Sequence, residues 1–170
     1  KTGVEGGTST AFGTSQFVSV DTGGAASGLN LAKLKAAKQI LMANEVDLDS
    51  DPIYCAIDAD EHNNLLNEVQ IVNTVYNDRP VLVDGRIRSF LGINFLHYEA
   101  VTTATDDQAG TSKQIPMWAK SGMHLGMWNG VETNITQRED LSGRPWQAYL
   151  AMTLGATRLE EDKIVRVWAR

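Results

Sequence analysis

The chain has 170 residues, of which 42% are hydrophobic and 21% are charged, and its formal net charge is −6. These values exclude a disordered or fibrous chain and do not indicate a basic surface for nucleic-acid binding. The single cysteine, Cys55, excludes an internal disulfide and favours a reducing compartment. No apolar run approaches about eighteen residues, so we expect no membrane-spanning helix and no membrane partner.

Residues 1–27 have the composition of a Gly/Thr-rich lead-in with one short predicted strand, Gln16–Val20. The segment 28–46 then predicts the one long helix, because Asn30 can cap it and no Gly or Pro follows until well past Leu41. The apolar stripe of this helix consists of Leu34, Ala37 and Leu41. We expect the stripe to pack against the C-terminal strands.

Strands and turns alternate in the middle of the chain. The apolar run 53–57 predicts a buried strand, and a short capped helix is expected over 58–68. Asp84-Gly85 is the strongest two-residue hairpin signal in the chain, and it lies between predicted strands at 81–83 and 87–98. The polar stretch 102–112 predicts an exposed loop.

The last third of the chain predicts mainly strands. Three short ones, separated by Gly turns, are expected at 115–120, 123–128 and 131–138. After Pro145, apolar residues occupy every second position and predict a long strand, namely Trp146, Ala148, Leu150, Met152, Leu154 and Ala156. A final strand is expected at 164–168.

One acidic cluster could carry chemistry, and it consists of Asp58, Asp60, Glu61 and His62. Carboxylates beside an imidazole can bind a metal ion or share general acid and base roles, as in a metal-dependent hydrolase. The same spacing is that of a helix capping box, with Asp58 as the cap, Glu61 three residues later and His62 exposed. We favour capping, and we therefore assign no catalytic, metal-binding or cofactor-binding residue and expect no cofactor.

Two further groups have an ordinary interpretation. Cys55 lies inside an apolar run, where a thiol is usually an inert small hydrophobe. A group of sulfur-containing and aromatic side chains could form an interaction surface, namely Met117, Trp118, Met123, Met127 and Trp128. Core packing of a sheet is the favoured use of this group, because such residues tend to be buried.

Several segments, taken in order, resemble the major capsid proteins of tailed bacteriophages and prophages. The most specific is Leu154-Gly-Ala-Thr-Arg-Leu-Glu-Glu161, followed by the segment Gly85-Arg-Ile-Arg-Ser-Phe-Leu-Gly92. The helix around Leu34 and the run Trp118-Ala-Lys-Ser-Gly-Met-His-Leu-Gly-Met127 add to the likeness, which covers about residues 16–168. The resemblance implies a structural coat protein rather than an enzyme, since the family has no catalytic motif to carry over.

The resemblance also implies an α+β fold of the Hong Kong type. According to this resemblance, residues 28–46 and 140–170 would form the spine helix and the long strands of a peripheral domain. Residues 47–139 would form a lobe of mixed sheet and helix that is similar to the axial domain. The N-terminal arm and extended loop of such proteins would lie outside this chain. We therefore expect the 170-residue piece to be a monomer or small oligomer and a longer parent to form shells.

The implied function is self-assembly, with copies in pentamers and hexamers, into an icosahedral head that encloses DNA. Further partners would be scaffolding or portal proteins, and DNA would be held without sequence-specific contact. Assembly would occur in the bacterial cytoplasm and the mature location would be the virion. The alternatives are the metal-dependent hydrolase at Asp58, Asp60, Glu61 and His62, or a phage head-tail adaptor module.

Overall fold

The computed structural model describes residues 12–13, 15–68 and 85–170. Two α-helices lie within these residues, α1 (Leu31–Ala43) and α2 (Ala59–Leu66). The strands are β1 (Phe17–Val18), β2 (Ile53–Ile57), β3 (Ser89–Phe90), β4 (Ile93–His97), β5 (Thr103–Thr105), β6 (Thr111–Ala119), β7 (Met123–Gln137), β8 (Trp146–Arg158) and β9 (Ile164–Ala169). The predicted strand 81–83 and Asp84 of the predicted hairpin lie outside the described residues.

Seven of these strands form one mixed sheet, in the order β1-β9-β6-β2-β4-β3, with β5 beside one end of β6. The pairs β1/β9 and β2/β4 are parallel, whereas β9/β6 and β6/β2 are antiparallel. The other two strands, β7 and β8, form a separate antiparallel sheet. Each sheet thus joins strands from both predicted capsid domains, and the division into peripheral and axial domains stays a prediction.

Helix α1 begins where the sequence predicts. The side chain of Asn30 accepts a hydrogen bond of 2.9 Å from the backbone N–H of Lys33, which satisfies one of the free donors of the first turn. Leu34, Ala37 and Leu41 are fully buried, as predicted. The helix contacts β9 and β1, so the expected packing against C-terminal strands is confirmed for β9, whereas β8 lies in the separate sheet.

The core lies between α1, α2 and one face of the seven-stranded sheet. Every second residue of its three central strands contributes to this core, namely Ile53, Cys55, Ile57, Ile115, Met117, Ala119, Val165, Val167 and Ala169. Full burial of one aliphatic side chain stabilises a fold by about 1.5–3 kcal/mol. Central strands with one fully buried face therefore account for most of the packing stability.

The stretch 102–112 was expected to be a loop, and this prediction is wrong for 103–105 and 111–112, which lie in strands. It forms β5, a tight turn and the start of β6, because the carboxylate of Asp106 organises the turn. Asp106 accepts hydrogen bonds from the backbone N–H groups of Gln108 (2.9 Å) and Gly110 (2.8 Å) and from the Ser112 hydroxyl (2.5 Å). It also accepts a bond of 2.7 Å from Arg170 at the chain end.

Two other predicted boundaries change. The expected strand 87–98 is divided into β3 and β4 by a turn at Leu91 and Gly92, both of which have positive φ. The two strands expected at 123–128 and 131–138 are one strand, β7, which continues through Gly130. Backbone pairing across the sheet is therefore stronger here than the local preference of glycine for turns. Among the described residues, no helix is long and apolar enough to cross a membrane.

Candidate functional site

The acidic cluster lies at the junction of β2 and α2. The Asp58 carboxylate accepts a hydrogen bond of 3.0 Å from the backbone N–H of Glu61, which confirms the predicted helix cap. Its other oxygen lies 2.5 Å from the ammonium of Lys113, which projects from β6. Asp58 is buried apart from this contact, so the cap also ties α2 to the sheet.

Glu61 does not complete the reciprocal capping box. Its side chain is 1% exposed and accepts hydrogen bonds from the backbone N–H of Leu29 and from the amide of Asn64 (3.1 Å). Leu29 immediately precedes the cap of α1, so Glu61 joins the beginnings of the two helices. A box that needs Glu61 to turn back toward Asp58 is incompatible with this inward orientation.

The other two members of the cluster have partners of their own. Asp60 is exposed and lies 2.6 Å from the Lys113 ammonium, and His62 Nε2 accepts a hydrogen bond of 3.2 Å from the backbone N–H of Ile87. His62 was predicted to be exposed, and this prediction is wrong, since its side chain is half-buried. Burial lowers the pKa of Lys113, but its hydrogen bonds with Asp58 and Asp60 outweigh burial and raise this pKa overall.

Asp58 and Asp60 both contact the Lys113 ammonium, whereas Glu61 accepts from Leu29 and Asn64 and His62 accepts from Ile87. The four side chains of the cluster thus have no partner common to all of them. No group of three or more His, Cys, Asp or Glu residues within 12–13, 15–68 and 85–170 could hold a metal ion. Cys55 is fully buried, and burial raises the pKa of its thiol to about 12. The geometry therefore supports neither the hydrolase hypothesis nor a cysteine nucleophile.

The second candidate site is the hairpin of β7 and β8, which pairs from Met123↔Arg158 at its base to Gln137↔Trp146 near its tip. At the base, the backbone N–H of Leu159 donates to the carbonyl of Gly122 over 2.9 Å. A Cβ at Gly122 would lie 2.8 Å from Cβ of Lys163, so only glycine fits this close approach of the two chain segments. The base of the hairpin is therefore fixed to the body of the protein.

Beyond this base, the hairpin is exposed along both strands. Met123, Met127 and Trp128 were expected in a sheet core, and this prediction is wrong, since Trp128 is 93% exposed and Met127 is 66% exposed. Met117 is buried as expected, and Trp118 stacks with Tyr54 at a centroid distance of 6.1 Å. The sulfur and aromatic group is thus divided between the core and an exposed surface, which composition alone could not distinguish.

The described residues thus form a helix-covered mixed sheet with a long exposed hairpin. The sequence matches the family model for phage capsid proteins over residues 1–169, and the chain belongs to the phage capsid protein family. Members of this family are structural, non-enzymatic components of the virion. Membership confirms the predicted resemblance, the predicted class of function and the predicted location.

Solved capsid structures have the same fold. The chain is similar to the capsid structure of the cyanophage P-SCSP1u, with 15% identity, a TM-score of 0.65 and coverage of 89% of this chain and 50% of that chain. A structure from Mycobacterium phage Che8 matches with 13% identity and a TM-score of 0.60, covering 87% and 54% of the two chains. The capsid of Ralstonia phage GP4 matches with 11% identity and a TM-score of 0.60, covering 93% and 53%.

The chain therefore spans about half the length of the solved capsid proteins that it matches. No curated protein sequence matches it. The matched structures confirm a mixed α/β fold over that half.

Proposed function

We propose that the chain is part of a coat subunit that assembles, through pentamers and hexamers, into an icosahedral head enclosing phage DNA. The observation that carries this proposal is the family match over residues 1–169. Scaffolding and portal proteins would be further partners. The formal net charge of −6 fits DNA that is enclosed without sequence-specific contacts, since tight binding to phosphates requires clustered Lys and Arg.

The domain roles belong to the same proposal. Helix α1 would be the spine helix of the peripheral domain, together with residues 140–170, and 47–139 would contribute to the axial domain. The buried stripe of α1 and the length of β8 support such roles, because both are suited to a rigid subunit that keeps its shape in a lattice. A density map of the assembled shell at side-chain resolution tests each assignment directly.

Electron microscopy of expressed protein tests assembly. The 170-residue chain should be compared with a longer polypeptide that contains this chain and has the full length of the solved capsid proteins. We expect closed particles of uniform diameter from the longer polypeptide and small species from the chain. Only small species from both, under conditions in which both are folded, would contradict the proposal.

A further inference from the structure

We propose that the apolar face of the β7–β8 hairpin is a contact surface for a second copy of this chain. This inference rests on the proposed function, because it names the surface through which shell subunits would meet. The hairpin face is defined by the even-numbered residues of β8 and the residues of β7 opposite them. Its apolar members are Trp146, Ala148, Leu150, Met152, Leu154 and Ala156, with Met123, Leu125, Met127 and Ile135. Its polar members are Thr133 opposite Leu150, Gln137 opposite Trp146 at the tip, and Arg158 opposite Met123 at the base.

The hairpin face is continuous from base to tip. Directly opposite residues of an antiparallel pair point to the same side of the sheet, so Leu125 with Ala156 and Ile135 with Ala148 mark its two ends. Two irregularities in β7, between Met127 and Asn129 and between Asn129 and Glu132, each add one residue to that strand. Because the side-chain period is two, a pair of added residues returns β7 to its original side.

The sequence of β8 is that of a strand with one covered face. The even positions from Trp146 to Ala156 are all apolar, whereas the odd positions carry small residues or residues with a polar group, namely Gln147, Tyr149, Ala151, Thr153, Gly155 and Thr157. Such alternation is typical of a sheet that packs one side on a core. Yet Leu150 is 69% exposed and Trp146 is 72% exposed, and an isolated two-stranded hairpin is marginally stable in water. The hairpin face therefore requires a partner surface.

Charge selects the kind of partner. From Trp146 to Thr157 the strand β8 carries no charged side chain, and Glu132 is the one acidic residue of β7, which has no Lys or Arg. Nucleic acid is thus a poor partner, since its phosphates need Lys or Arg. An uncharged apolar face fits another apolar face, and a capsid protein assembles with copies that present the same surface. A second copy satisfies both conditions.

The size of the hairpin face fits a contact that is repeated in a lattice. Thirteen residues at about 3.3 Å each, across two strands about 10 Å wide, give roughly 400 Å². A stable two-protein interface buries about 800 Å² per partner. One hairpin contact therefore gives a weak pair, whereas several contacts per subunit add up in a shell. In the described chain β8 pairs only with β7, so its regular outer edge is also open to a partner.

Sedimentation velocity of the 170-residue chain, from about 2 to 200 µM, measures this contact. The test variant is the double substitution Leu150→Glu and Leu154→Glu, and the matched control is Tyr149→Glu and Thr153→Glu on the opposite face of the same strand. Far-UV circular dichroism and the urea midpoint verify that each variant is folded. We expect concentration-dependent association of the wild type, weakened at least about tenfold in the test variant and changed less than about threefold in the control.

A cysteine variant identifies the partner. Because Cys55 is buried, a short bifunctional maleimide applied to Leu150→Cys can join only two different chains, with Thr153→Cys as the control on the other face. We expect a dimer band from the first variant and a much weaker one from the second. Equal bands, no bands at 200 µM, or association unaffected by the glutamates would overturn the inference.

The same substitutions in the longer, shell-forming polypeptide separate this inference from the proposed function. Loss of particles with Leu150→Glu and Leu154→Glu, but not with Tyr149→Glu and Thr153→Glu, supports the hairpin contact. Normal particles from both variants reject the contact and leave the capsid function intact. If the wild-type polypeptide forms no particles, the proposed function fails, while sedimentation and cross-linking still decide the hairpin contact.

Discussion

Strands β8 and β9 both carry a row of apolar side chains and have opposite surroundings. Val165 and Val167 of β9 are fully buried beneath α1, whereas Leu150 and Leu154 of β8 are 69% and 51% exposed. A row of apolar residues at every second position thus indicates that a strand has an apolar face, and it does not identify what covers that face. The apolar face of β9 is covered by α1 of the same chain. For the apolar face of β8, we propose that a second copy of the chain covers it.

The two regions should also differ in how they open. The helix-covered sheet has a cluster of fully buried side chains that unfold together, whereas the hairpin rests on backbone pairing and a fixed base. Stability therefore resides in the sheet, and the hairpin can open locally at a lower free-energy cost. The following predictions test this difference.

Thiol labelling should give the largest contrast. Cys55 is fully buried with a pKa raised to about 12, so it should react with a maleimide only when the sheet unfolds. A second thiol introduced by Leu150→Cys, at low protein concentration, should react at least about a thousandfold faster, because global unfolding costs several kcal/mol. Stopped-flow labelling with mass spectrometry assigns each site. Similar rates at both thiols would show that Cys55 is accessible without global unfolding of the sheet.

Side-chain truncation should show the same contrast in equilibrium stability. Leu34→Ala removes a fully buried side chain between α1 and the sheet, and it should lower the free energy of unfolding by about 2–5 kcal/mol. Leu150→Ala, the matched truncation on the hairpin, should change it by less than about 0.5 kcal/mol in the monomer. Urea unfolding followed by circular dichroism measures both. A loss below about 0.5 kcal/mol for Leu34→Ala would mean that the stripe is not core.

Acid should affect the sheet more than the hairpin. The Ser112 hydroxyl, backbone N–H groups and Arg170 hold the pKa of Asp106 well below its usual range, and Arg138 lowers the pKa of Asp140 in the hairpin loop. A carboxyl group whose pKa is lower in the folded state than in the unfolded state stabilises the fold when the pH is above the unfolded pKa of about 3.9. This stabilisation is lost as the pH falls toward the folded pKa. At pH 6 the urea midpoint of the wild type should therefore be higher than that of Asp106→Asn. This difference between the two midpoints should shrink below about pH 4.

The matched control for this pH dependence is Asp140→Asn. Its ion pair joins residues only two apart in an exposed loop, so the substitution should leave the urea midpoint of the sheet unchanged at both pH values. A pH-independent difference for Asp106→Asn would show that the turn depends on the shape of the side chain rather than on its charge.

The sequence was sufficient for the local features and insufficient for the long-range ones. The start of α1 at Asn30, the cap at Asp58 and the strand β8 could be predicted, because each depends on residues within a few positions of one another. The inward turn of Glu61 toward Leu29 could not, because it joins residues 32 positions apart and resembles a capping box locally. Nothing in the sequence around Glu61 indicates that its carboxylate is buried, because its partner Leu29 is distant in sequence.

The exposed hairpin was missed for a related reason. Gly122 and Gly130 suggested turns, and the many apolar side chains of this region suggested a core. The backbone pairing of β7 with a strand about twenty residues later overrides the local preference of Gly130 for a turn. Only the fold shows that no helix among the described residues covers the resulting hairpin. The signal that could have located the surface was the absence of charge from Trp146 to Thr157 of β8, opposite an extended glycine-containing strand.

The smallest expected effect concerns the cap at Asp58, which joins the edge of α2 to the sheet. Asp58→Ala removes both the cap and the contact with Lys113, and it should lower the free energy of unfolding by about 1–2 kcal/mol. Asp58→Asn keeps a capping oxygen and loses only the charge opposite Lys113, so its loss should be about 0.5 kcal/mol.

Salt distinguishes the two contributions at this cap. Because 1 M NaCl screens a partly exposed ion pair, the difference between wild type and Asp58→Asn should shrink in it, whereas most of the loss from Asp58→Ala should persist. Urea midpoints at low and high salt measure both. Asp60→Asn is the matched control, since this carboxylate also contacts Lys113 but caps nothing and is exposed. Equal losses for Asn and Ala at Asp58 would mean that the charge, rather than the cap, holds α2 to the sheet.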